Sequence, residues 1–416
     1  MLVAYVPRLA DQRLKDLLDT FPAIMINGPR AVGKTTTARQ LAVDAVKLSD
    51  PNQAAAFVAD AASALKLFRE PLLLDEWQEV PDVLRAVADA VNEDWHPGRF
   101  ILTGSVRAGL EKKLWGGTGR LIRLNMYGLA QVEISGAATG HQPFFDRLAK
   151  DDPAVFQTPG QRPTLPEYID LAMRGGFPEV ALRQLSPAAR DTWFDSYLGQ
   201  LLDRDLQQLS PRHNPLKMRE FFDALAANSA GIPLETTLYS QANVTAVTAR
   251  RYDRLLQDVF VTEQVPGWMR RRSARLVAAK KRYVVDPALA ASAYGGTAQT
   301  ILGDADLLGR TIDAFAVAQL RPELALAGTR NKVYHLRTKG GRQEVDFVLE
   351  LPGGKILALE FKSAAAINKS DAKHLLWLRD LVGTNFVAGA VFHTGPSAFR
   401  LDAKVLALPI SVIWGQ

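Results

Sequence analysis

Residues 24–35 read IMINGPRAVGKT, a mostly apolar run that leads directly into a sequence of the form GxxxxGK[ST]. Gly28 and Gly33 let the backbone curl so that successive N–H groups point inward at phosphate oxygens. Lys34 would bring a positive charge to the terminal phosphates, Thr35 would offer its hydroxyl to Mg²⁺, and the following helix would add the positive end of its dipole. The pattern therefore predicts a site for a nucleoside triphosphate. The residues predicted to contact the nucleotide are Gly28, Pro29, Arg30, Ala31, Val32, Gly33, Lys34, Thr35 and Thr36.

Two further runs end in polar side chains suited to hydrolysis. Residues 72–76 read LLLDE, which is typical of a buried strand that ends in two carboxylates. We expect Asp75 to hold Mg²⁺ beside Thr35, and Glu76 to act as the general base for the attacking water. The alternative is that both acids cap the following helix. A third strand, FILTGS at 100–105, would place Thr103, or in second place Ser105, where it could sense the terminal phosphate.

Composition excludes several classes of protein. The 416 residues include no cysteine, so disulfides and thiolate metal sites are excluded, and a reducing, cytoplasmic location is expected. No apolar run approaches the ~18 residues of a membrane span, and the N-terminus lacks the apolar core of a signal peptide. The sequence has 50 Lys and Arg against 44 Asp and Glu, a net charge of +6 that is compatible with nucleic-acid binding without requiring it.

The pattern along the chain predicts an α/β fold in four parts. Residues 1–135 alternate apolar strands with amphipathic helices, as in the parallel-sheet core of P-loop ATPases. Residues 136–210 read as a connection and a helical lid segment, residues 211–298 as a winged-helix domain, and residues 299–416 as a nuclease-like α/β domain. The strands predicted for the first part are Ala23–Asn27, Val46–Leu48, Pro71–Leu74, Phe100–Leu102 and Leu121–Leu124.

The whole chain resembles a bacterial and archaeal family of AAA-type ATPases with a C-terminal domain of unknown function. The matching motifs are PRL at 7–9, GPRAVGKTT, LLLDEWQEVPDVL, GRFILTGS, GGTGRLIRLNMYGL, RGGFPE, DRDL, and EVDFVLE with LALEFK. The family usually has Gln where this chain has Ala31, at a variable position of the phosphate-binding pattern. The resemblance implies an AAA+ ATPase core and ATP as the nucleotide.

Other residues extend the predicted ATP site. Arg120 follows the Gly-rich sequence GGTG, about where AAA ATPases place an arginine finger, which stabilises transition-state charge; a structural role for Arg120 is the alternative. Arg30 either contacts the phosphates or faces solvent or a neighbouring subunit, and the second position is the favoured one. Gly176-Phe177-Pro178 is similar to the Gly-x-Pro that related ATPases press against adenine, and a simple turn is equally compatible with it.

The middle of the chain has a basic pattern that suggests DNA binding. Residues 241–260 read QANVTAVTARRYDRLLQDVF, with apolar residues at helical spacing and Arg250, Arg251 and Arg254 on the polar side. The sequence MRRRSARLVAAKKRYVV follows at the position of a wing hairpin, and it includes Arg270, Arg271 and Arg272. Such clusters neutralise phosphates without reading sequence. A solvated hairpin on a domain that relays the nucleotide state is the alternative.

The last part of the chain contains a second candidate for catalysis. RQEVDFVLELPGGKILALEFK predicts two strands and a tight turn, with Asp346, Glu360 and Lys362 in the order D…ExK. This resembles the PD-(D/E)xK nuclease fold, in which two carboxylates bind Mg²⁺ and activate water against a phosphodiester. The preceding helix has Asp313 where the family usually has Glu. Metal-dependent cleavage and a binding module that has lost cleavage both remain open.

Two functions follow from these patterns. In the first, an ATPase with Mg²⁺ acts on DNA by binding, remodelling or translocation, with the nuclease-like domain gripping or cutting the DNA. In the second, the chain is a nucleotide-dependent signalling switch whose C-terminal domain binds a protein partner and cleaves nothing. A homo-oligomer is expected in either case, and no membrane association is expected.

Overall fold

The computed structural model describes residues 4–106, 119–156, 162–183, 185–210, 213–271, 275, 279–326 and 331–415. Arg272, one of the residues predicted to contact DNA, lies outside the described residues. The same is true of residues 107–118, which include most of the Gly-rich sequence before Arg120.

A parallel sheet forms the core of the N-terminal unit. Its strands in the described part of the chain are β1 (Ala23–Asn27), β2 (Asp44–Lys47), β3 (Leu72–Asp75), β4 (Phe100–Gly104) and β5 (Leu121–Asn125). They lie in the order β2-β3-β4-β1-β5, and every neighbouring pair is parallel. Because all strands run the same way, their carboxyl ends meet at one edge of the sheet. The predicted α/β parallel-sheet core is confirmed.

Helices cover both faces of this sheet, which explains why β1, β3 and β4 are buried throughout. Ile24 and Ile26 of β1 pack with the helices α1 (Ala10–Leu18) and α2 (Lys34–Ala38). Met25 points to the other face and packs with α3 (Pro51–Leu65) and α4 (Asp82–Glu93). The alternation of side chains along the strand therefore divides the core into two layers.

A helical segment follows the sheet. It contains α5 (Gln131–Ile134), α6 (Phe144–Leu148), α7 (Leu165–Arg174), α8 (Pro178–Ala181), α9 (Pro187–Gly199) and α10 (Leu206–Leu209). A π-helical turn at Gln200–Asp205 joins α9 to α10. The buried rings of Phe177 and Phe194 share a hydrophobic cluster with Val32 of the loop after β1, so this segment packs against that loop.

The next unit consists of helices followed by a two-stranded hairpin. Its elements are α11 (Pro215–Ala227), α12 (Glu235–Gln241), α13 (Ala246–Asp258), β6 (Thr262–Val265) and β7 (Lys281–Val284). β6 and β7 are antiparallel, and Gly231 forms an antiparallel bridge with Arg282 of β7. The side chain of Thr245 accepts a hydrogen bond from the amide of Thr248, so Thr245 caps α13. The helices α14 (Pro287–Ala293) and α15 (Ala298–Gly303) lead to the last unit.

The C-terminal unit is a mixed sheet between helices. α16 (Ala305–Leu326) precedes β8 (Lys332–Arg337), β9 (Glu344–Glu350) and β10 (Ile356–Phe361), and α17 (Lys373–Val382) precedes β11 (Phe386–His393), β12 (Phe399–Asp402) and β13 (Val405–Pro409). The strand order is β12-β13-β11-β10-β9-β8, with β10, β11 and β13 mutually parallel. α16 packs on one face through Ile312 and Phe315, and α17 packs on the other through Leu375 and Leu378.

The helical segment also contacts the C-terminal sheet. The guanidinium of Arg147 in α6 donates hydrogen bonds to the carbonyls of Val412 (2.8 Å) and Gly415 (2.9 Å). The rings of Phe144 and Phe392 lie 5.4 Å apart. The domain boundaries at residues 135, 210 and 298 remain predictions. Among the described helices, none is both long and apolar enough to cross a membrane.

Candidate functional site

The loop after β1 has the backbone shape that its glycines allow. Gly28 has φ 154°, and a Cβ there would lie 2.1 Å from the carbonyl oxygen of Met126, so no larger residue fits without a shift of the backbone. Gly33 has φ 96°, a left-handed conformation that L side chains rarely adopt, and α2 starts directly after it. Val32 is buried, whereas Arg30, Ala31 and Thr36 are exposed. The loop is therefore anchored on one side and open to solvent on the other.

Lys34 lies inside this loop. Its side chain is buried, and its ammonium donates hydrogen bonds to the carbonyls of Gly28 (3.0 Å) and Pro29 (2.7 Å). Burial lowers the pKa of Lys34 to about 8. Both of these acceptors are neutral carbonyls, so a phosphate oxygen in the loop would be a much stronger hydrogen-bond partner for the ammonium.

The hydroxyls of Thr35 and Thr103 converge on one carboxylate oxygen of Asp75. Thr35 donates to this oxygen at 2.5 Å and Thr103 donates to it at 2.6 Å. Asp75 ends β3 and is buried, so its charge is held at the carboxyl edge of the sheet. A hydroxyl beside a carboxylate is the hard-oxygen pair that Mg²⁺ prefers, and the pair follows the phosphate loop directly. The predicted Mg²⁺ ligands Thr35 and Asp75 are thus adjacent.

Thr103 itself is fully buried, and its oxygen also accepts a hydrogen bond from the amide of Glu76 at 3.2 Å. Thr103 therefore positions Asp75 and Glu76 in this structure. Its role as a sensor of the terminal phosphate remains a prediction. Ser105, the second residue predicted as a candidate sensor, lines the cleft beside the loop.

Glu76 has an unusual backbone conformation at the point where β3 ends. Its φ of 57° and ψ of 54° are left-handed, a conformation that costs ~1–3 kcal/mol in a residue other than glycine and that concentrates at functional sites. The carboxylate accepts hydrogen bonds from the side-chain Nε2 of Gln78 (2.5 Å) and from the hydroxyl of Ser105 (3.3 Å). Glu76 is thus turned toward the cleft and held there by two neutral donors.

The sequence predicts no role for Gln78, although its position two residues after Glu76 places it at the site. Gln78 also donates to Ser105 at 3.4 Å, which closes a small network around the Glu76 carboxylate. The only local signal for this role is its distance along the chain from Glu76. A side chain that donates to a general base affects how readily the base accepts a proton.

An ion pair crosses the mouth of the cleft. Arg30 of the phosphate loop donates to both carboxylate oxygens of Asp205, at 2.6 and 2.7 Å, and its side chain is 49% exposed. Asp205 ends the π-helical turn, a type of distortion that frequently occurs at functional sites. The hydroxyl of Tyr197 donates to the carbonyl of Arg30 at 3.4 Å. The helical segment therefore contacts the phosphate loop through Arg30.

Arg8 holds the other side of the loop. Its guanidinium donates to the carbonyls of Val32 (2.9 Å) and Tyr127 (2.8 Å) and pairs with Glu133 at 3.1 Å. Both members of this pair are buried. Arg8 is therefore a structural anchor between the N-terminus, the loop and the residues after β5.

Gly176, Phe177 and Pro178 also lie beside the loop. The carbonyl of Gly176 accepts a hydrogen bond from the amide of Leu129 at 2.6 Å, and Phe177 is buried against Tyr197 with ring centroids 4.9 Å apart. A Cβ on Gly33 would lie 3.8 Å from Pro178. The structure thus brings the Gly-Phe-Pro element to the phosphate loop, and its contact with adenine remains a prediction.

A cleft of about 580 Å³ opens next to these groups. It is lined by the phosphate loop, by the ends of β3 and β4, and by the turn that carries Asp205. Its polar lining residues are Arg30, Thr35, Arg39, Lys47, Ser49, Asp75, Glu76, Gln78, Glu79, Ser105 and Asp205. The cleft therefore joins the predicted phosphate, Mg²⁺ and general-base positions.

Arg120 lies away from this cleft. It is exposed and directly precedes β5, whose residue Leu121 pairs with Ala23 at the start of β1. The phosphate loop follows the other end of β1, about 15 Å away at ~3.3 Å per residue. Arg120 therefore does not reach the phosphate loop of its own chain, and the predicted finger would have to act on a second subunit.

The predicted DNA-contacting arginines are mostly on the surface. Arg250, Arg251 and Arg254 are exposed on α13, at the spacing of one helix face, and Arg251 also donates to the hydroxyl of Ser210. Arg270 and Arg271 are exposed after β6. The structure does not test whether these residues contact DNA.

The hairpin between β6 and β7 folds onto the C-terminal sheet. The indole of Trp268 donates to Glu350 at 2.9 Å, and Arg275 pairs with Glu350 at 2.8 Å. The amide of Trp268 also donates to the carbonyl of His335 in β8 at 2.6 Å. Part of the predicted wing is therefore attached to β8 and β9.

The predicted nuclease-like residues meet at one place, together with a lysine from β7. Lys281 is buried, and its ammonium donates to Asp313 of α16 and, at 2.9 Å, to Asp346 of β9. Burial by itself would lower the pKa of Lys281, but the carboxylates of Asp313 and Asp346 raise it well above its ordinary value. Burial raises the pKa of Asp313 to about 7. The sequence predicts Lys281 only as one basic residue of the hairpin.

Glu360 lies on the neighbouring strand β10, and Lys362 directly follows the end of that strand. Their side chains approach to 3.5 Å, and burial raises the pKa of Glu360 well above its ordinary value. The second carboxyl oxygen of Glu360 has no partner among the described residues. In the described part of the chain, no group of three His, Cys, Asp or Glu side chains is arranged to hold a metal ion.

Three regions of the chain match models of protein families. Residues 20–135 match a family model described as an AAA domain. Residues 165–300 match a domain of unknown function (DUF8612), and residues 308–413 match another (DUF4143). Together with the parallel sheet and the geometry of the loop, the first match identifies the N-terminal unit as an AAA-type P-loop ATPase core.

Curated relatives cover almost the full chain. The uncharacterized proteins Rv2008c of Mycobacterium tuberculosis and Mb2031c of Mycobacterium bovis are each 27% identical over 425 residues, covering 98% of this chain and 84% of the relative. Among solved structures, the Walker-type ATPase PABY2304 of Pyrococcus abyssi has a TM-score of 0.39 at 13% identity, covering 68% of this chain and 94% of its own. AMPPCP-bound DnaA from Aquifex aeolicus has a TM-score of 0.23 at 15% identity, covering 62% and 89%.

Proposed function

We propose that this protein binds ATP with Mg²⁺, hydrolyses the terminal phosphate, and uses hydrolysis to act on DNA. The observation that carries the first part is the convergence of Thr35 and Thr103 on Asp75, with Glu76 as the next residue. Three strands of a parallel sheet supply these groups at one edge, beside a phosphate loop. This edge is where ligands bind in open α/β sheets.

The side chains at this edge suit ATP and Mg²⁺. Lys34 would exchange its two carbonyl acceptors for phosphate oxygens, which carry full negative charge. Thr35 and Asp75 would hold Mg²⁺ through the two oxygens that now share a hydrogen bond. When bound, Mg²⁺ would neutralise the charge that develops on the transferring phosphoryl group.

Glu76 is the proposed general base. Its carboxylate faces the cleft and accepts hydrogen bonds from Gln78 and Ser105. A water beside the terminal phosphate would replace one of these donors and pass its proton to Glu76 as it attacks. Asp75 is buried at the end of β3 beside the hydroxyl of Thr35, a position that suits a cation ligand and leaves Glu76 for the proton.

ATP binding tests the first part of this proposal. We expect Lys34→Ala to weaken binding of a fluorescent ATP analogue at least ~10-fold, because a charge-assisted hydrogen bond is lost. The matched control is Lys66→Ala, which removes an exposed lysine at the end of α3. Equal affinities for wild type and Lys34→Ala would contradict the assignment of the phosphate site.

The DNA part is supported by the exposed arginines of α13. Three helices, a bridge at Gly231 and the hairpin β6–β7 follow one another as in a winged helix, in which the helix equivalent to α13 contacts DNA. Arg250 and Arg254 are one helical turn apart on the surface of α13. Val247 on the same face is 74% exposed, and an exposed apolar side chain also suits the alternative of a protein partner.

A salt titration separates these partners. We expect Arg250→Ala with Arg254→Ala to weaken duplex DNA binding and to reduce the slope of log affinity against log salt by up to ~2, because two phosphate contacts are lost. The control removes two exposed lysines of the ATPase unit, Lys15→Ala with Lys66→Ala. If DNA neither binds at low salt nor changes the ATPase rate, the switch with a protein partner replaces the DNA proposal.

A further inference from the structure

Asp313 and Asp346 have both of their carboxylate oxygens occupied by donors of the chain itself, whereas the second oxygen of the neighbouring Glu360 has no partner among the described residues. One oxygen of Asp313 accepts from Lys281 and the other accepts from the hydroxyl of Tyr283 at 2.9 Å. One oxygen of Asp346 accepts from Lys281 at 2.9 Å, and the other accepts from the amide of Phe361 at 3.0 Å. These are the oxygens that a divalent cation would need.

The position of the ammonium follows from three elements that are distant in sequence. β9 and β10 pair so that Leu359 is opposite Phe347, which places Asp346 next to the end of β10. Asp313 approaches from α16, and Lys281 enters between the two acids from β7. Lys281 and Tyr283 are two residues apart in β7, so their side chains point to the same side of the strand. One strand thus supplies both donors to Asp313.

A divalent cation does not fit this arrangement. To coordinate Asp313 and Asp346 together it would have to displace a buried ammonium, whose side chain is 3% exposed. The displaced charge would then lie buried without a partner, which is costly.

We infer that Lys281 is a built-in counter-ion that takes the place of the metal, so that the C-terminal unit binds no divalent cation at Asp346 and cleaves no phosphodiester through one. The same ammonium clasps the hairpin unit to the C-terminal sheet, because its partners Asp313 and Asp346 belong to α16 and β9. This inference is independent of ATP hydrolysis at the N-terminal site.

Titration with Mn²⁺ alone tests the first half of the inference. The experiment uses the 416-residue chain with Asp75→Asn, which removes a predicted cation ligand at the ATP site, in the absence of nucleotide. We expect the number and affinity of bound Mn²⁺ ions, measured by electron paramagnetic resonance, to be identical with and without Asp346→Asn. Loss of a bound Mn²⁺ on Asp346→Asn would overturn the inference, and so would Mn²⁺-dependent nicking of plasmid DNA that disappears in that variant.

A double-mutant cycle tests the clasp. Lys281→Met removes the ammonium and keeps the unbranched remainder of the side chain, and we expect it to lower the thermal midpoint by at least about 5 °C. Adding Asp346→Asn should then cost less than it costs in the wild-type chain, because the two residues are coupled. The control is Lys280→Met, an exposed neighbour that donates to Gln264. Additive effects, or equal midpoints for Lys281→Met and Lys280→Met, would overturn the clasp.

Discussion

Thr35 and Asp75 are 40 positions apart in the chain, and the hydroxyl of the first donates a hydrogen bond of 2.5 Å to the carboxylate of the second. Thr35 follows β1 and Asp75 ends β3, whereas β4 lies between these two strands. Thr103 of β4 bridges the gap by donating to the same oxygen of Asp75. The order of strands in the sheet thus brings the ligands of the proposed cation together.

The first prediction concerns this carboxylate. Asp75→Asn keeps the shape of the side chain but removes its charge, so we expect ATP affinity to become independent of Mg²⁺ and hydrolysis to fall at least ~100-fold. Affinity is measured with Mg²⁺ and with a chelator. The control is Asp89→Asn, an exposed residue of α4. A variant whose ATP affinity still rises with Mg²⁺ as in wild type would show that Asp75 is not a cation ligand.

The second prediction concerns the ion pair at the mouth of the cleft. Asp205 adds a negative charge to a cleft that already contains Asp75 and Glu76. Asp205→Asn should therefore raise ATP affinity about two- to fivefold, since repulsion of the phosphates decreases and Arg30 is released from its partner. The control is Asp203→Asn, an exposed residue of the same turn. Weaker binding would mean that Asp205 instead holds Arg30 in the orientation that ATP requires.

The third prediction concerns assembly. Arg120 lies at the end of the sheet opposite to the phosphate loop, so a finger role requires a second subunit. Arg120→Ala and Glu76→Gln chains should each be inactive, and a mixture should regain part of the activity, because some interfaces combine one intact half from each chain. Specific activity of wild type should also rise with protein concentration. If the mixture stays inactive and the chain stays monomeric with ATP, Arg120 has no such role.

The fourth prediction concerns pH. His393 is buried, its Nδ1 accepts a hydrogen bond from the amide of Gly395 at 3.0 Å, and burial, assisted by the nearby charge of Arg162, lowers its pKa to about 4. The unfolded chain binds this proton near pH 6.5 and the folded chain only near pH 4. The free energy of unfolding should therefore fall as the pH is lowered from about 6.5 to 4, by at most about 3 kcal/mol from this residue.

Urea unfolding at several pH values measures this dependence. His393→Asn keeps an acceptor for Gly395 and removes the titrating group, so its stability should fall less steeply below pH 6.5. The control is His96→Asn, which changes an exposed histidine. Equal slopes for wild type and His393→Asn would contradict the fourth prediction.

The ATPase half of the molecule could be predicted because its signals are local. The apolar run before Gly28, the loop itself and the run before Asp75 each lie within a few residues, and all five predicted strands of the first sheet overlap the observed ones. No role was predicted for Gln78 or Asp205, because the contacts of Gln78 with Ser105 and of Asp205 with Arg30 depend on how separate elements pack. The sequence also could not show that Arg120, directly before β5, lies at the end of the sheet opposite to the phosphate loop.

Lys281 shows most clearly what could not be predicted from the sequence. It lies 32 residues from Asp313 and 65 residues from Asp346, in a basic stretch that suggests a solvent-exposed wing. Only the folded chain shows that this lysine is buried between two acids. The pattern D…ExK identifies the acids, and the three-dimensional structure shows what neutralises them.

The most direct test of the central claim is a single-turnover measurement of phosphate release from radiolabelled ATP by wild type and by Glu76→Gln. The account predicts that Glu76→Gln binds Mg·ATP as wild type does but releases phosphate at least ~100-fold more slowly, because the amide cannot accept the proton of the attacking water. Glu79→Gln, an exposed residue that lines the same cleft, should keep the wild-type rate. No phosphate release by wild type, or equal release by wild type and Glu76→Gln, would contradict the account.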